Sequence, residues 1–282
     1  MLHVKVTFIT VIVLLLFIWF FVEIKTLMYK KHVYSLYDRF QYKLKTHNRT
    51  YSTLEGVVDN VYCISMPKRK DYITNKMKQL GTSYTLMNAV TPNDLTYEDY
   101  EQLSDTYNPR NKLMYKKMTK LPLQVSFTVC MLDAIKNNYE TIIIFEDDIS
   151  IEKDIETIKK GIEEFKFSNY DLFYMGYCTS ACKYWSRDEE YTELVEVDNE
   201  SNINCTHAVV YKKSILPKVL DTIYPMDMYY DNLLALVPNK CVPISVYFDQ
   251  DRKNMGSLNE DLEPNKKLPS CSFRTSLELQ KL

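Results

Sequence analysis

The sequence predicts an α/β fold, a sheet covered by helices, preceded by one N-terminal transmembrane helix. Three observations carry that expectation. Val6 to Val22, VTFITVIVLLLFIWFFV, holds no charge between Lys5 and Glu23. From Val57 onward strand-like and helix-like patterns alternate, as they do in βαβ units. Finally, Thr141-Ile142-Ile143-Ile144-Phe145 has the composition of a strand buried on both faces and runs directly into Glu146-Asp147-Asp148.

The N-terminal segment comes first. As a helix it spans about 25 Å, near the short limit for crossing a bilayer. No small-x-small cleavage site follows it, only Glu23, Ile24, Lys25 and Thr26, so residues 1–23 read as an uncleaved single-pass anchor rather than a signal peptide. Orientation stays open. Lys25, Lys30, Lys31 and Arg39 follow the span, which by the positive-inside rule keeps the main domain cytosolic. Three sequons, at Asn48, Asn199 and Asn204, fit a lumenal, endomembrane type II arrangement instead. Seven cysteines, an odd number, do not decide the redox compartment.

Residues 24–56 mix charged and aromatic side chains without a clean period and read as a stem. The domain proper is expected over 57–261. VDNVYCISM (58–66) reads as a strand and PKRKDYITNKMKQLG (67–81) as a helix, with Pro67 suited to its first turn and Gly81 to its end. SYTLMNAV (83–90) is a second strand, parallel to the first. LPLQVSFTVCMLDAIKNN (121–138) is helical in spacing and leads into the acidic strand. DLFYMGY (171–177), TELVEV (192–197) and CTHAVVY (205–211) are further strands; KSILPKVLDTI (213–223) and MDMYYDNLLALV (226–237) read as helices. Residues 262–282 are polar and read as a loose tail.

Composition is that of a globular protein, 46% hydrophobic and 26% charged, with net charge −2. No basic stripe is interleaved with aromatics, so nucleic acid is not an expected partner. The chemistry concentrates at the acidic strand. In open α/β sheets ligands bind beyond the carboxyl ends of the strands, where Glu146, Asp147 and Asp148 fall. Packed carboxylates repel unless a cation offsets them. Oxygen ligands suit Mg2+ or Mn2+, with diphosphate oxygens and water completing the shell. The plainer reading is an acidic loop that caps a helix starting near Glu152.

Four blocks then carry a resemblance. They are Val61-Tyr62-Cys63-Ile64-Ser65-Met66 with Lys68-Arg69-Lys70-Asp71, then Asn88-Ala89-Val90, then Ile143-Ile144-Phe145-Glu146-Asp147-Asp148. The fourth is Ala208-Val209-Val210-Tyr211, Pro225-Met226-Asp227, and Gln250 followed by Gly256-Ser257-Leu258. Their order and spacing over about residues 57–260 resemble glycosyltransferase family 25, which includes lipooligosaccharide and collagen-modifying galactosyltransferases. The resemblance implies a GT-A-type, Rossmann-like mixed sheet flanked by helices. It further implies transfer of galactose or glucose from a UDP-sugar to a hydroxyl on a glycan, lipid or protein.

By that resemblance Glu146 and Asp148 contact Mn2+ or Mg2+, with Asp147 beside them. Arg69, Asp71 and Asn88 lie near the nucleotide, and Gln250 lines the cleft. Family members mostly act with inversion, which needs one carboxylate base. Asp227, the residue matched by motif, is the expected base, with Asp231 one helical turn further on the same face. Four positions depart from the family pattern. Its Ser-His pair on the helix before the acidic motif is Cys130-Met131 here, which lacks the titrating imidazole. Tyr72 replaces an Arg, and Ser65 replaces an Asn. The alternative these departures leave is a catalytically degenerate relative that binds sugar or a partner. Cys178-x3-Cys182 has no second ligand pair for zinc and reads as a local disulfide or two thiols. His207 reads as a hydrogen-bonded core residue.

Overall fold

The computed structural model describes residues 2–104, 120–178, 185–187, 193–197, 203–227 and 229–251. The chain starts as one unbroken helix, α1 (Leu2–Phe40). The side chains from Val11 to Val22 are exposed, and the most apolar window has a mean hydropathy of 2.4 with none of it buried. This helix is long and apolar enough to cross a membrane. Its second half behaves differently. Val33, Leu36 and Phe40 are buried in the domain core, at helical spacing. After a 3-10 turn the chain forms β1 (Leu44–His47). Residues 24–56, expected as a stem, thus include a docked helix and a strand of the main sheet.

The βαβ opening expected from sequence is present: β2 (Asn60–Ser65), α2 (Lys70–Leu80) and β3 (Tyr84–Asn88), with β2 and β3 parallel. Pro67 opens a 3-10 turn, Pro67–Arg69, ahead of α2. Gly81 closes the helix at φ 69°, a left-handed conformation that costs glycine nothing. There follow α3 (Tyr97–Leu103), α4 (Lys120–Lys136), β4 (Thr141–Phe145), β5 (Ile149–Ile151) and α5 (Ile155–Phe167). The remainder comprises β6 (Leu172–Cys178), β7 (Trp185–Arg187), β8 (Leu194–Val197), β9 (Asn204–Lys212), α6 (Leu216–Thr222), α7 (Tyr230–Leu234), β10 (Lys240–Pro243) and β11 (Phe248–Gln250).

Among the described residues nine strands form one mixed sheet in the order β1-β3-β2-β4-β9-β6-β10-β8-β7. The acidic strand β4 lies between β2, parallel to it, and β9, antiparallel. All five of its residues are buried, and alternation divides them between two cores. Ile142 and Ile144 face one core with α1 and α4 side chains, while Ile143 and Phe145 face the other with α2 and α5 side chains. That is why the run is continuously apolar. The expected mixed α/β sheet flanked by helices is therefore what the chain forms.

Docking of α1 is polar as well as apolar. Arg39 grips Asp99 through both guanidinium nitrogens, and Tyr37 donates to Asp133 at 2.9 Å. Burial by itself would raise Asp99, but hydrogen bonds from Arg39 and Thr96 outweigh it and hold the carboxyl below its ordinary pKa. The helix read over 226–237 is shorter in the structure. Among its described residues only Tyr230–Leu234 is α-helical, so Asp227 precedes the helix and does not share a helical face with Asp231.

Gly176 sits where the β6–β9 register shifts. A Cβ there would lie 2.2 Å from His207 Nε2 and 2.7 Å from the Phe248 carbonyl oxygen. Because part of the obstacle is backbone, Gly176→Ala should cost about 1–3 kcal/mol, read as a lower denaturant midpoint at unchanged slope. An unchanged midpoint would show that this close approach is not needed.

Candidate active site

The carboxyl end of β4 delivers Glu146, Asp147 and Asp148 into a turn before β5. They do not share one environment. Asp147 points inward and is 6% exposed. Its Oδ1 accepts from Arg69 Nη1 at 2.9 Å and its Oδ2 from the Met66 N–H at 2.7 Å. Arg69, equally buried, also lies 4.0 Å from Asp148 Oδ2. The pair ties the β2–α2 corner to the acidic turn, and each partner spares the other an uncompensated buried charge.

Glu146 Oε1 accepts from Thr206 Oγ1 at 2.8 Å. Burial first, then the charge of Asp148, with Asp147 and Asp231 adding, push its carboxyl up to about 8 against the opposing effect of that hydrogen bond. A carboxyl raised by a neighbouring negative charge is lowered again, and ionised, by a positive charge that arrives between the two.

The wall facing the turn is the start of β9. The Glu146 N–H donates to the His207 carbonyl at 3.0 Å. The Cys205 N–H donates to Asp231 Oδ2 at 3.2 Å, and Cys205 Sγ lies 3.7 Å from Gln250 Oε1. That contact is not a hydrogen bond, because Cys205 is disulfide-bonded and its sulfur carries no proton; the other half-cystine lies outside the described side chains. The third wall is β11, antiparallel to β5, which sets Gln250 opposite Ile149. The Asp251 N–H donates to the Asp148 carbonyl at 2.6 Å. The Tyr72 hydroxyl lies 2.6 Å from Asp251 Oδ2, so the Tyr in place of an Arg still links α2 to this wall.

The predicted residues divide accordingly. Glu146, Asp147, Asp148, Arg69 and Gln250 come together. Asp71 is exposed on the first turn of α2. The Asn88 amide donates to the Lys43 carbonyl at the β1–β3 edge. Asp227 Oδ1 accepts from Ser104 Oγ, and its carbonyl accepts from Lys120 Nζ. Thr206 and Cys205 form the site without having been picked out for it, signalled only by the polar start of an otherwise apolar strand, Asn204-Cys205-Thr206-His207; Asp231, noted in the sequence only as the neighbour of Asp227, joins them. The helix-cap reading of the acidic motif does not hold. The cap of α5 is Asp154, whose Oδ1 accepts from the Thr157 N–H at 2.9 Å, and β5 intervenes.

The model of glycosyltransferase family 25 (LPS biosynthesis protein) matches residues 58–234, more than half of the chain. The chain belongs to glycosyltransferase family 25. No curated protein matches it. Family 25 membership supports sugar transfer and covers β2 through α7, so the acidic turn, Arg69, Thr206 and Asp231 all lie within the match. Gln250 lies beyond it.

Among the described residues no three His, Cys, Asp or Glu side chains gather into a preformed metal cage. A hard cation that keeps its waters and binds substrate phosphates needs only one or two carboxylates. Glu146 and Asp148, mutually repelling, are a donor set of that kind; Asp147 is not, since Arg69 and Met66 engage both its oxygens. Cys130 and Met131, at the family's Ser-His position, are fully buried in the core, and burial pushes the Cys130 thiol up. His207 is a core residue, as expected, with Nε2 donating to the Phe248 carbonyl at 3.0 Å.

Several sequence readings fall elsewhere. Of the sequons, Asn48 is exposed, Asn204 begins β9 with Thr206 buried, and Asn199 lies outside the described residues. Cys182, the Cys178 side chain, Gly256-Ser257-Leu258 and the 262–282 tail are likewise outside them. A cleft of about 300 Å3 lined by Asn48, Asp59, Asn60 and Ser83 opens at the amino ends of β2 and β3, the opposite end from the acidic turn.

Proposed function

We propose that this family 25 member is a membrane-anchored, inverting hexosyltransferase that moves galactose or glucose from a UDP-sugar to a hydroxyl acceptor on a glycan, lipid or protein. The observation that carries this reading is the division of labour in the acidic turn. Arg69 and the Met66 N–H engage both oxygens of Asp147, while the charge of Asp148 bears on the buried Glu146 carboxyl beside it at the carboxyl end of a buried strand. Those two would hold Mn2+ or Mg2+ against the donor diphosphate. The ion, when bound, neutralises charge that develops on the departing UDP.

The chain's own residues do the rest. Asp147 and Arg69 fix the turn against the β2–α2 corner, and Thr206 orients Glu146. Gln250, on β11, borders the cleft. The apolar, exposed half of α1 supports single-pass anchoring, and its docked half holds the domain close to that anchor. A second reading has one observation behind it. Cys130 and Met131 are core residues without a titrating imidazole, as a relative that binds a sugar or a partner without turnover would tolerate.

The two readings separate on the full chain in detergent. Calorimetric titration of UDP, with and without Mn2+, should give metal-dependent binding, and UDP-galactose or UDP-glucose should release UDP. Metal-dependent binding without release favours the degenerate reading. Absence of any UDP binding refutes transfer and leaves only a relative that binds a partner or a sugar not carried on UDP.

A further inference from the structure

Family 25 transfer, if it runs as proposed above, needs a carboxylate beside the acceptor oxygen, and the motif-matched Asp227 is placed for another task. Its carboxylate is held by Ser104 at the end of α3, and its backbone carbonyl by Lys120 at the start of α4. The neighbouring Met226 N–H donates to the Leu103 carbonyl at 2.7 Å. Asp227 therefore joins three segments, which is a positioning role.

We propose that Asp231 is the catalytic carboxylate that takes the proton of the acceptor hydroxyl. Asp231 and Glu146 are bound by consecutive residues of one strand: Asp231 by the Cys205 N–H at 3.2 Å, Glu146 by the Thr206 hydroxyl at 2.8 Å. Successive strand residues are about 3.3 Å apart, so Asp231 stands beside the proposed donor site. Cys205 holds φ 67°, a conformation uncommon for a residue with a side chain and characteristic of functional corners.

Asp231 rests on a rigid platform. The preceding Tyr230 stacks on Phe127 at 4.1 Å, and its hydroxyl meets that of Tyr211 at 3.0 Å. The second oxygen of Asp231 accepts from the Asn232 N–H at 2.9 Å. An ionised carboxylate has about four acceptor positions, so two backbone donors orient it and leave capacity for an acceptor O–H. The bonds balance simply. The acceptor oxygen forms a bond to the anomeric carbon as the bond to UDP breaks. The electron pair of that broken bond leaves on the β-phosphate oxygen, and the acceptor proton goes to Asp231.

The test uses the full chain in detergent, UDP-galactose and UDP-glucose as donors, water as acceptor and sodium azide as a nucleophile that needs no deprotonation. Asp231→Asn should bind UDP as the wild type does and release UDP at least about 10²-fold more slowly. Azide should restore release in this variant, with glycosyl azide as product. Asp227→Ala should lower the melting temperature without creating azide dependence. Wild-type turnover by Asp231→Asn, loss of UDP binding in step with turnover, or no rescue by azide would each overturn the assignment. Failure of the wild type itself to bind UDP would instead remove the transfer reading on which it rests.

Discussion

A chain beginning at Val57 should fail to fold, whereas one beginning at Glu23, lacking the apolar span but keeping the docked half of α1, should melt cooperatively. The shorter chain loses Val33, Leu36 and Phe40, all buried in the core against α4. Burial of such side chains is worth about 1.5–3 kcal/mol each, together on the order of 5–9 kcal/mol, comparable with the roughly 5–15 kcal/mol that stabilises a whole domain. It also loses Arg39, leaving Asp99, now 2% exposed, without its guanidinium. The edge of β3 would lose its β1 partner, Leu44–His47, and an unpaired edge invites aggregation. Solubility and thermal melting of the two chains decide the matter. Melting of the Val57 chain within a few degrees of the longer one would show that α1 and β1 merely lie against the domain.

The same segment marks where sequence reasoning ran out. β4 was legible because a strand buried on both faces must be apolar at every position, and Thr141–Phe145 is. The βαβ unit was legible because Pro67 and Gly81 punctuate it. Residues 33, 36 and 40 do stand at helical spacing, but the apolar stripe is only three side chains wide and is surrounded by Tyr and Lys. A period search therefore sees noise. The site divides in the same manner. Glu146, Asp147 and Asp148 are contiguous and match a motif; which of them is spent on Arg69 depends on a contact spanning 78 positions. Asp227 drew attention by motif and Asp231 did not, yet the start of β9 binds Asp231. Thr206 reads as one more β-branched strand residue until the antiparallel pairing of β4 with β9 sets it beside Glu146.

Asp148→Asn should lower hexose transfer by about 10²–10³-fold, the cost of losing one strong electrostatic contact at a transition state. Asn keeps the size and shape of Asp148 and removes one negative charge. With Asp147 engaged by Arg69 and Met66, no other carboxylate of the turn is placed to replace the lost charge, so Mn2+-dependent UDP binding should weaken as well. Stability should move the other way. The charge of Asp148 is the second cause, after burial, of the raised Glu146 carboxyl. Removing it relieves repulsion at neutral pH, and the metal-free variant should melt no lower than the wild type. A purely structural acid predicts the opposite pattern, with stability lost and UDP binding unaffected. Calorimetric titration of UDP with Mn2+ into both proteins, alongside metal-free melting curves, separates the two. Equal, metal-independent binding by wild type and variant would end the assignment of Glu146 and Asp148 as the pair that holds the ion.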